Sequence, residues 1–172
     1  MTGASVSNNF MFAYDTTVQT AVLTTVATPA WGDITFNTVA LSDGWTHTPG
    51  TAPFTAGSAA SGGPGKYIMQ YSAEVQPSAG SVNFEFRMVR QLGGAGAFIE
   101  IPGSQLYASA QSASSTQLAA RYVATTIGAG DVVKVQFNKD SGIVDLVATT
   151  TGTSSSIPTS AQLIITKIGA AG

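Results

Sequence analysis

The fold is decided by the stretch Gly65-Lys66-Tyr67-Ile68-Met69-Gln70-Tyr71-Ser72-Ala73-Glu74-Val75. From Tyr67 to Val75 the odd-numbered positions are apolar, whereas the even-numbered positions are polar except for Ile68. Side chains alternate between the two faces of an extended strand, so this period of two predicts a half-buried β-strand. The preceding run Gly62-Gly63-Pro64-Gly65 predicts a tight turn that leads into the strand.

The same period of two recurs along the chain, and no segment shows sustained helical periodicity. Trp45 and Phe54 bracket a predicted Pro/Gly/Thr loop. Strands are predicted at 10–19, 22–27, 33–41, 65–75, 81–89, 97–101, 118–127, 132–137, 143–148 and 161–168. Many short strands with turn signals between them are typical of sandwiches. We therefore predict an all-β protein, an antiparallel two-sheet β-sandwich with no significant helix.

The composition indicates one domain with a weakly charged surface. The chain has 172 residues, of which 44% are hydrophobic, and this suffices for a single core. We expect residues 1–9 to form a flexible N-terminal segment and residues 10–172 to form the domain. Only 9% of residues are charged, against about 25% in an average soluble domain. Because no Lys or Arg cluster is present, nucleic acid is not an expected partner.

The sequence lacks cysteine, a secretory signal and a membrane helix, and these absences limit the expected partners and compartments. There is no cysteine, which excludes disulfides and thiolate metal sites. The first nine residues lack the charge and hydrophobicity of a secretory signal, and no apolar run approaches the roughly 18 residues of a membrane helix. We expect a soluble protein made in the cytoplasm, without a membrane partner.

The sequence offers no catalytic constellation. His47 is the only histidine and lies in a Thr/Pro stretch, so a nucleophile–histidine triad is not predicted. Glu74, Glu85 and Glu100 are candidates for a paired carboxylate site, but no aromatic subsite flanks them and a solvated role is favoured. The glycine run before Lys66 leads into a strand rather than a helix, which argues against a phosphate-binding loop. We predict no catalytic residue, no metal and no cofactor.

Gly65, Tyr67, Met69 and Tyr71 resemble the Gly-x-Tyr-x-Phe-x-Tyr signature of the tumour necrosis factor and complement-one-q-like jelly rolls, with Met69 in the place of Phe. Further residues agree in order, namely Phe36, Asn37, Phe54 and the Gly130-Asp131-x-Val133 run. The likeness spans about 36–168 and departs in a longer loop before Gly65. It implies a ten-stranded jelly roll that assembles as a homotrimer, with the inner sheets meeting at the axis.

The resemblance makes five apolar strand residues candidates for the trimer interface: Tyr67, Met69, Tyr71, Tyr122 and Phe137. Packing inside a single subunit explains the same pattern equally well, because apolar residues at period two look alike in both settings. Both readings stay open.

The N-terminal half resembles small bacteriophage virion proteins, in which an aromatic strand is followed by residues such as Tyr14-Asp15-Thr16-Thr17 and Gln19. The leading hypothesis is a non-enzymatic trimer that decorates or cements a bacteriophage capsid or forms a head fibre. Such a protein is made in the host cytoplasm, resides on the virion and has the major capsid protein as its partner. Phe10, Phe12 and Tyr14 are the capsid-anchoring candidates.

The alternative hypothesis is a receptor- or glycan-binding tip domain of a phage tail fibre, with Trp31, Trp45 and His47 as surface-loop contacts. The chain shows neither heptads nor collagen-like triplets that would build a stalk. An enzyme acting on sugars or peptides and a bacterial spore-surface or secreted jelly roll are further alternatives.

Overall fold

The structure is a computed structural model that describes residues 9–20, 31–61, 63–112, 116–139, 144–147 and 159–170. Its strands are β1 (Phe10–Asp15), β2 (Gln19–Thr20), β3 (Gly32–Asp33), β4 (Thr38–Asp43), β5 (Trp45–His47), β6 (Phe54–Ala56), β7 (Gly65–Pro77), β8 (Val82–Gln91), β9 (Ile99–Glu100), β10 (Leu106–Ala110), β11 (Gln117–Ile127), β12 (Val132–Lys139), β13 (Val144–Leu146) and β14 (Ala161–Gly169). Within these ranges, helical structure is confined to the 3-10 turns Ala59–Ser61 and Leu92–Gly94.

The strands form two antiparallel sheets. The first sheet has the order β2-β13-β7-β14-β1-β4, and β11 lies on the other edge of β7. The second sheet has the order β10-β8-β12-β6-β5, with β3 beside β12 and β9 beside β8. The predicted antiparallel two-sheet β-sandwich is confirmed.

Strand β7 is paired along both of its edges in the first sheet. One edge pairs with β11 along its length, from Gly65 opposite Ile127 to Val75 opposite Gln117. The other edge pairs with β14 and then with β13. Three neighbouring strands therefore take their register from β7.

The core lies between the two sheets and is rich in aromatic rings. Tyr71 packs against Phe86 at a centroid distance of 5.7 Å, and Phe86 packs against Phe137 at 4.9 Å. The inward positions of β7, β8 and β12 are almost completely buried. Full burial of one such side chain contributes about 1.5–3 kcal/mol, so this layer dominates the stability of the fold.

The structure differs from the predicted elements in several places. The expected strand 33–41 is split into β3 and β4, and Ile34 and Phe36 are buried between them. The expected loop between Trp45 and Phe54 begins and ends in short strands, β5 and β6. Strand β10 was not predicted, and the expected strand 22–27 lies outside the described residues.

Strands β1 and β14 bring both ends of the described chain together. The Lys167 N–H donates a hydrogen bond of 2.9 Å to the Asn9 carbonyl. Asn9 is buried, and its Nδ2 donates to the Ser61 carbonyl at 3.0 Å. Asn9 is thus anchored, whereas residues 1–8 of the expected flexible segment lie outside the described residues. Both ends of the described chain therefore lie at the same end of the sandwich.

The start of β7 has room only for glycine. A Cβ added at Gly65 would lie 2.7 Å from the Gly169 carbonyl oxygen and 2.4 Å from Lys167 Cε. The Lys167 side chain can move, but the Gly169 carbonyl is part of the backbone at the bulge where β14 ends. The close approach of the two strands therefore requires a residue without a side chain.

Replacing this glycine should disturb the β7–β14 contact. Gly65→Ala is expected to lower the free energy of unfolding by about 1–3 kcal/mol, because the new methyl group overpacks the site. The matched control is Gly169→Ala, whose Cβ would meet nothing closer than 3.9 Å. Urea denaturation of both variants measures the difference, and equal stabilities would contradict the prediction.

Candidate interaction surface

The outward side chains of the first sheet form continuous rows across five strands. One row runs through Leu41, Phe12, Ile164, Gln70 and Tyr122. The adjacent row runs through Asp43, Phe10, Thr166, Ile68 and Ala124. Directly opposed side chains in a sheet lie within about 5 Å of one another, so each row forms one surface.

We call this surface the apolar face, and it comprises Phe10, Phe12, Tyr14, Leu41, Ile68, Leu118, Tyr122, Ile164 and Ile168. Tyr122 is 73% exposed, Leu118 62% and Leu41 58%. Single exposed apolar residues are ordinary, but a contiguous set indicates an interaction site. The apolar face is therefore the candidate functional site.

Charged residues lie towards the margins of the apolar face. Along β7 the outward charges are Lys66 near one end and Glu74 near the other, and Asp43 is at the end of β4. An open depression of about 220 Å³ lies next to Lys66 and is walled by Ala124, Thr126 and Ile168. The middle of the face is uncharged.

The outer face of the second sheet is covered by its own polar network. The Lys134 ammonium lies 2.6 Å from the Asp33 carboxylate, which also accepts a hydrogen bond of 2.9 Å from Gln136 Nε2. Arg87 Nε donates to Gln136 Oε1 at 3.0 Å and continues the network. These polar groups find partners within the chain.

Two aromatic rings also contact the cations of this polar network. The Arg87 guanidinium lies 4.0 Å from the centre of the Trp31 ring. The Lys134 ammonium lies 4.0 Å from the centre of the Phe98 ring. Each cation thus has both an aromatic and a polar contact. Among the described residues, the two outer faces of the sandwich therefore differ, because that of the first sheet presents a broad apolar surface and that of the second sheet is covered by polar contacts.

Four of the five predicted interface residues lie in the subunit core, which corrects the expectation for them. Tyr67, Met69, Tyr71 and Phe137 are at most 1% exposed, because the odd-numbered positions of β7 and β12 face the opposite sheet. Side chains buried within one subunit are not available to another. Tyr122 faces outward and belongs to the apolar face.

The two core tyrosines are hydrogen-bonded through their hydroxyls. Tyr67 Oη donates to the Gly63 carbonyl at 2.7 Å, and Tyr71 Oη donates to the Ser104 carbonyl at 3.0 Å. Burial raises the pKa of both phenols above the usual value, because the charged phenolate is poorly solvated in the core. Their roles are structural.

The predicted capsid-anchoring residues belong to the apolar face. Phe10, Phe12 and Tyr14 are half-buried and alternate along β1 with buried residues. They lie on the opposite side of the face from Tyr122, with β14 and β7 in between. Adjacent strands are about 4.8 Å apart, so β1 and β11 are separated by about 14 Å.

The residues that follow β1 have a local structural role. Asp15 is buried, and its Oδ1 accepts hydrogen bonds from the Thr17 N–H at 2.8 Å and the Thr17 hydroxyl at 2.6 Å. Gln19 Nε2 donates to Asp15 Oδ2 at 2.7 Å and to the Thr35 carbonyl at 2.8 Å. The Thr35 N–H donates to Gln19 Oε1 at 3.1 Å. This network fixes the turn, which explains the residue types at these positions.

The surface-loop recognition candidates do not form one exposed site. Trp45 is buried and packs edge-on against Tyr67 at 5.4 Å, which corrects its assignment to a surface loop. Trp31 is covered by Arg87. The His47 ring stacks on Phe54 at a centroid distance of 4.1 Å.

Two further features concern metal ligands and long helices in the described ranges. There, no cluster of three or more His, Asp or Glu side chains is arranged to hold a metal ion. The described residues include no helix long and apolar enough to span a membrane.

No protein-family model and no curated protein sequence matches the chain. Solved structures match it over most of its length. Murine APRIL at pH 5.0 superposes with a TM-score of 0.59 at 11% identity, covering 94% of this chain and 99% of the other. Eiger TNF from S. frugiperda gives 0.56 at 9% identity, covering 96% and 95%. The globular domain of zebrafish complement 1qA gives 0.52 at 14% identity, covering 93% and 95%.

The chain has a TNF-like jelly-roll fold. The expectation drawn from Gly65, Tyr67, Met69 and Tyr71 is confirmed at the level of the fold. In the structure the glycine makes the close strand contact, and the other three side chains fill the core. These four residues therefore account for the architecture, whereas the candidate interaction surface lies on the opposite face of the same sheet.

The core phenols should make the fold sensitive to alkali. Folded Tyr67 and Tyr71 keep their protons after the unfolded chain has lost them, so the contribution of these two phenols to stability should be constant below about pH 10 and fall above it. The slope is at most about 1.4 kcal/mol per pH unit for each phenol. Urea denaturation at pH 9 and pH 11 measures it, and Tyr71→Phe should make it shallower.

Phe84→Leu is the control for this measurement, because it loosens the same core without removing an ionisable group. It should lower stability by the same amount at both pH values. A Tyr71→Phe variant that keeps the full wild-type slope would contradict the assignment.

Proposed function

We propose that this chain is a non-enzymatic structural protein of a virus particle. It forms a homotrimer that decorates or cements a bacteriophage capsid or builds a head fibre. The observation that carries the proposal is the apolar face, which is broad, contiguous and uncharged at its centre. A second copy of the chain is the proposed occupant of its β11 side.

Self-association suits this surface for an electrostatic reason. A cyclic assembly brings identical surfaces towards one axis, and like charges placed opposite each other cost several kcal/mol. The charged residues nearest the face, Lys66, Glu74 and Asp43, lie towards its margins. Copies can therefore approach with the row around Tyr122 in contact and without repulsion.

Apolar burial would supply most of the association energy. Covering a side chain such as Tyr122 or Leu118 contributes about 1.5–3 kcal/mol, against about 0–1 kcal/mol for an exposed ion pair. The second sheet offers less apolar area, because Arg87, Lys134 and Asp33 on its outer face are engaged in polar contacts within the subunit. The first sheet is thus the favoured subunit contact.

The viral part of the proposal is supported by the resemblance of 14–19 to small bacteriophage virion proteins and by the weakly charged surface. A trimer also suits the threefold and quasi-threefold positions of an icosahedral shell. Phe10, Phe12 and Tyr14 lie on the β1 side of the apolar face, away from Tyr122. We assign the β11 side to neighbouring subunits and the β1 side to the shell.

The oligomeric state tests the subunit contact. At micromolar concentration, size-exclusion chromatography with light scattering should give a mass about three times the 17.5 kDa subunit. Tyr122→Asp should release monomers, because it places a charge at the centre of the interface. Tyr107→Asp is the matched control, since Tyr107 is also an exposed strand tyrosine but lies on the second sheet, and it should stay trimeric. A monomeric wild type, or equal behaviour of the two variants, would contradict the contact.

Binding to particles tests the shell contact. The chain should be present in purified virions and visible at symmetry-related positions by electron cryomicroscopy. Phe12→Asp should remain trimeric but fail to bind shells that lack the protein. Absence of the chain from the virion would overturn the viral assignment while leaving the trimer unaffected.

A further inference from the structure

The single histidine of the chain lies between two backbone carbonyl groups. His47 Nδ1 is 2.9 Å from the Pro53 carbonyl oxygen, and His47 Nε2 is 2.9 Å from the Phe36 carbonyl oxygen. Stacking on Phe54, with 9° between the ring planes, holds the imidazole in this orientation. The ring is half-buried.

The number of N–H groups on the ring decides how many of the two carbonyl groups receive a hydrogen bond. A neutral imidazole has one N–H group and one nitrogen lone pair, whereas a protonated imidazole has two N–H groups. Carbonyl oxygens only accept hydrogen bonds. A neutral His47 therefore satisfies one carbonyl and points a lone pair at the other, while a protonated His47 donates to both.

We propose that His47 is a proton-operated clip that ties the 48–53 loop to the segment around Phe36. Protonation closes the clip by adding the second hydrogen bond. Loss of the proton opens one of its two sides. The loop is thus held more tightly when the ring is protonated than when it is neutral.

Backbone hydrogen bonds of the same loop show what the clip holds. The Phe36 N–H donates to the Thr51 carbonyl at 3.0 Å, and the Gly50 N–H donates to the Phe36 carbonyl at 2.8 Å. The Thr51 N–H donates to the Thr48 carbonyl at 3.1 Å. The Phe36 carbonyl thus accepts from Gly50 and also lies within hydrogen-bond distance of His47 Nε2. Exchange of the Phe36, Gly50 and Thr51 amides reports directly on the clip.

The carbonyl groups are the relevant partners of this ring. β5, β6, the 48–53 loop and the 34–37 segment carry no ionisable residue besides His47. The nearest ionisable residues along the chain are Asp33, which is held by Lys134 and Gln136, and Asp43 at the end of β4. Among the described residues, no ion pair includes His47. A carboxylate therefore does not substitute for the second hydrogen bond.

Amide hydrogen exchange at pH 5.0 and pH 8.0, corrected for the intrinsic exchange rates, tests the clip. Protection of the Phe36, Gly50 and Thr51 amides in the wild type should be about tenfold higher at pH 5.0, as expected for one added hydrogen bond. His47→Gln should abolish this difference. The Glu74 amide, bonded to the Ser160 carbonyl, is the internal control and should show the same protection at both pH values. An equal pH effect in wild type and variant would overturn the proposal.

A measurement on the unmodified protein guards against a variant that does not fold. Because the chain has one histidine, its imidazole nitrogen signals can be assigned without ambiguity in an NMR spectrum. At pH 5.0 both ring N–H protons should be visible and protected from exchange with water. Rapid exchange of either proton would show that one carbonyl is not engaged and would overturn the clip.

Discussion

The pairing of β7 along both of its edges is the constraint on which the rest of this structure depends. β11 follows one edge, and β14 and β13 share the other, so the registers of three strands are tied to one stretch. The same stretch sends Tyr67, Met69 and Tyr71 into the core. A register shift of one residue would exchange the inward-facing and outward-facing side chains. The burial of the inward side chains therefore also fixes the register of the strand pairing.

This coupling also gives the sandwich two unlike outer faces. Because β7 directs its large aromatic residues inward, the first sheet keeps Ile68 and its neighbours Ile164 and Tyr122 outside. On the second sheet, the outward positions carry Arg87, Lys134 and Gln136, which satisfy one another and Asp33. Most of the few charged side chains thus make contacts within the subunit, and one surface is left apolar.

The sequence predicts the long strands well, since β7 and β8 carry many alternating residues. β5 and β6 have three residues each, too few for a period of two to be recognised, and β10 alternates weakly because Ala108 and Ala110 are small. The interface residues are harder to predict from the sequence, because a period of two does not distinguish a subunit core from a surface between subunits. In β11, the large apolar residues Leu118 and Tyr122 lie outward, whereas Ala119, Val123 and Ile127 face the core.

The pairing of β1 with β14 also determines how the fold responds to a pulling force. Asn9 and Gly169 lie at the same end of the sandwich, so tension between them acts across the paired strands and loads the Asn9–Lys167 hydrogen bond and the Phe10–Thr166 pair first. The hydrogen-bonded pairs between β1 and β14 then break one at a time. Tension between Asn9 and the turn after β7, at the opposite end, acts along the strands and loads many hydrogen bonds together. The subunit is therefore mechanically weak in one direction and strong in the other.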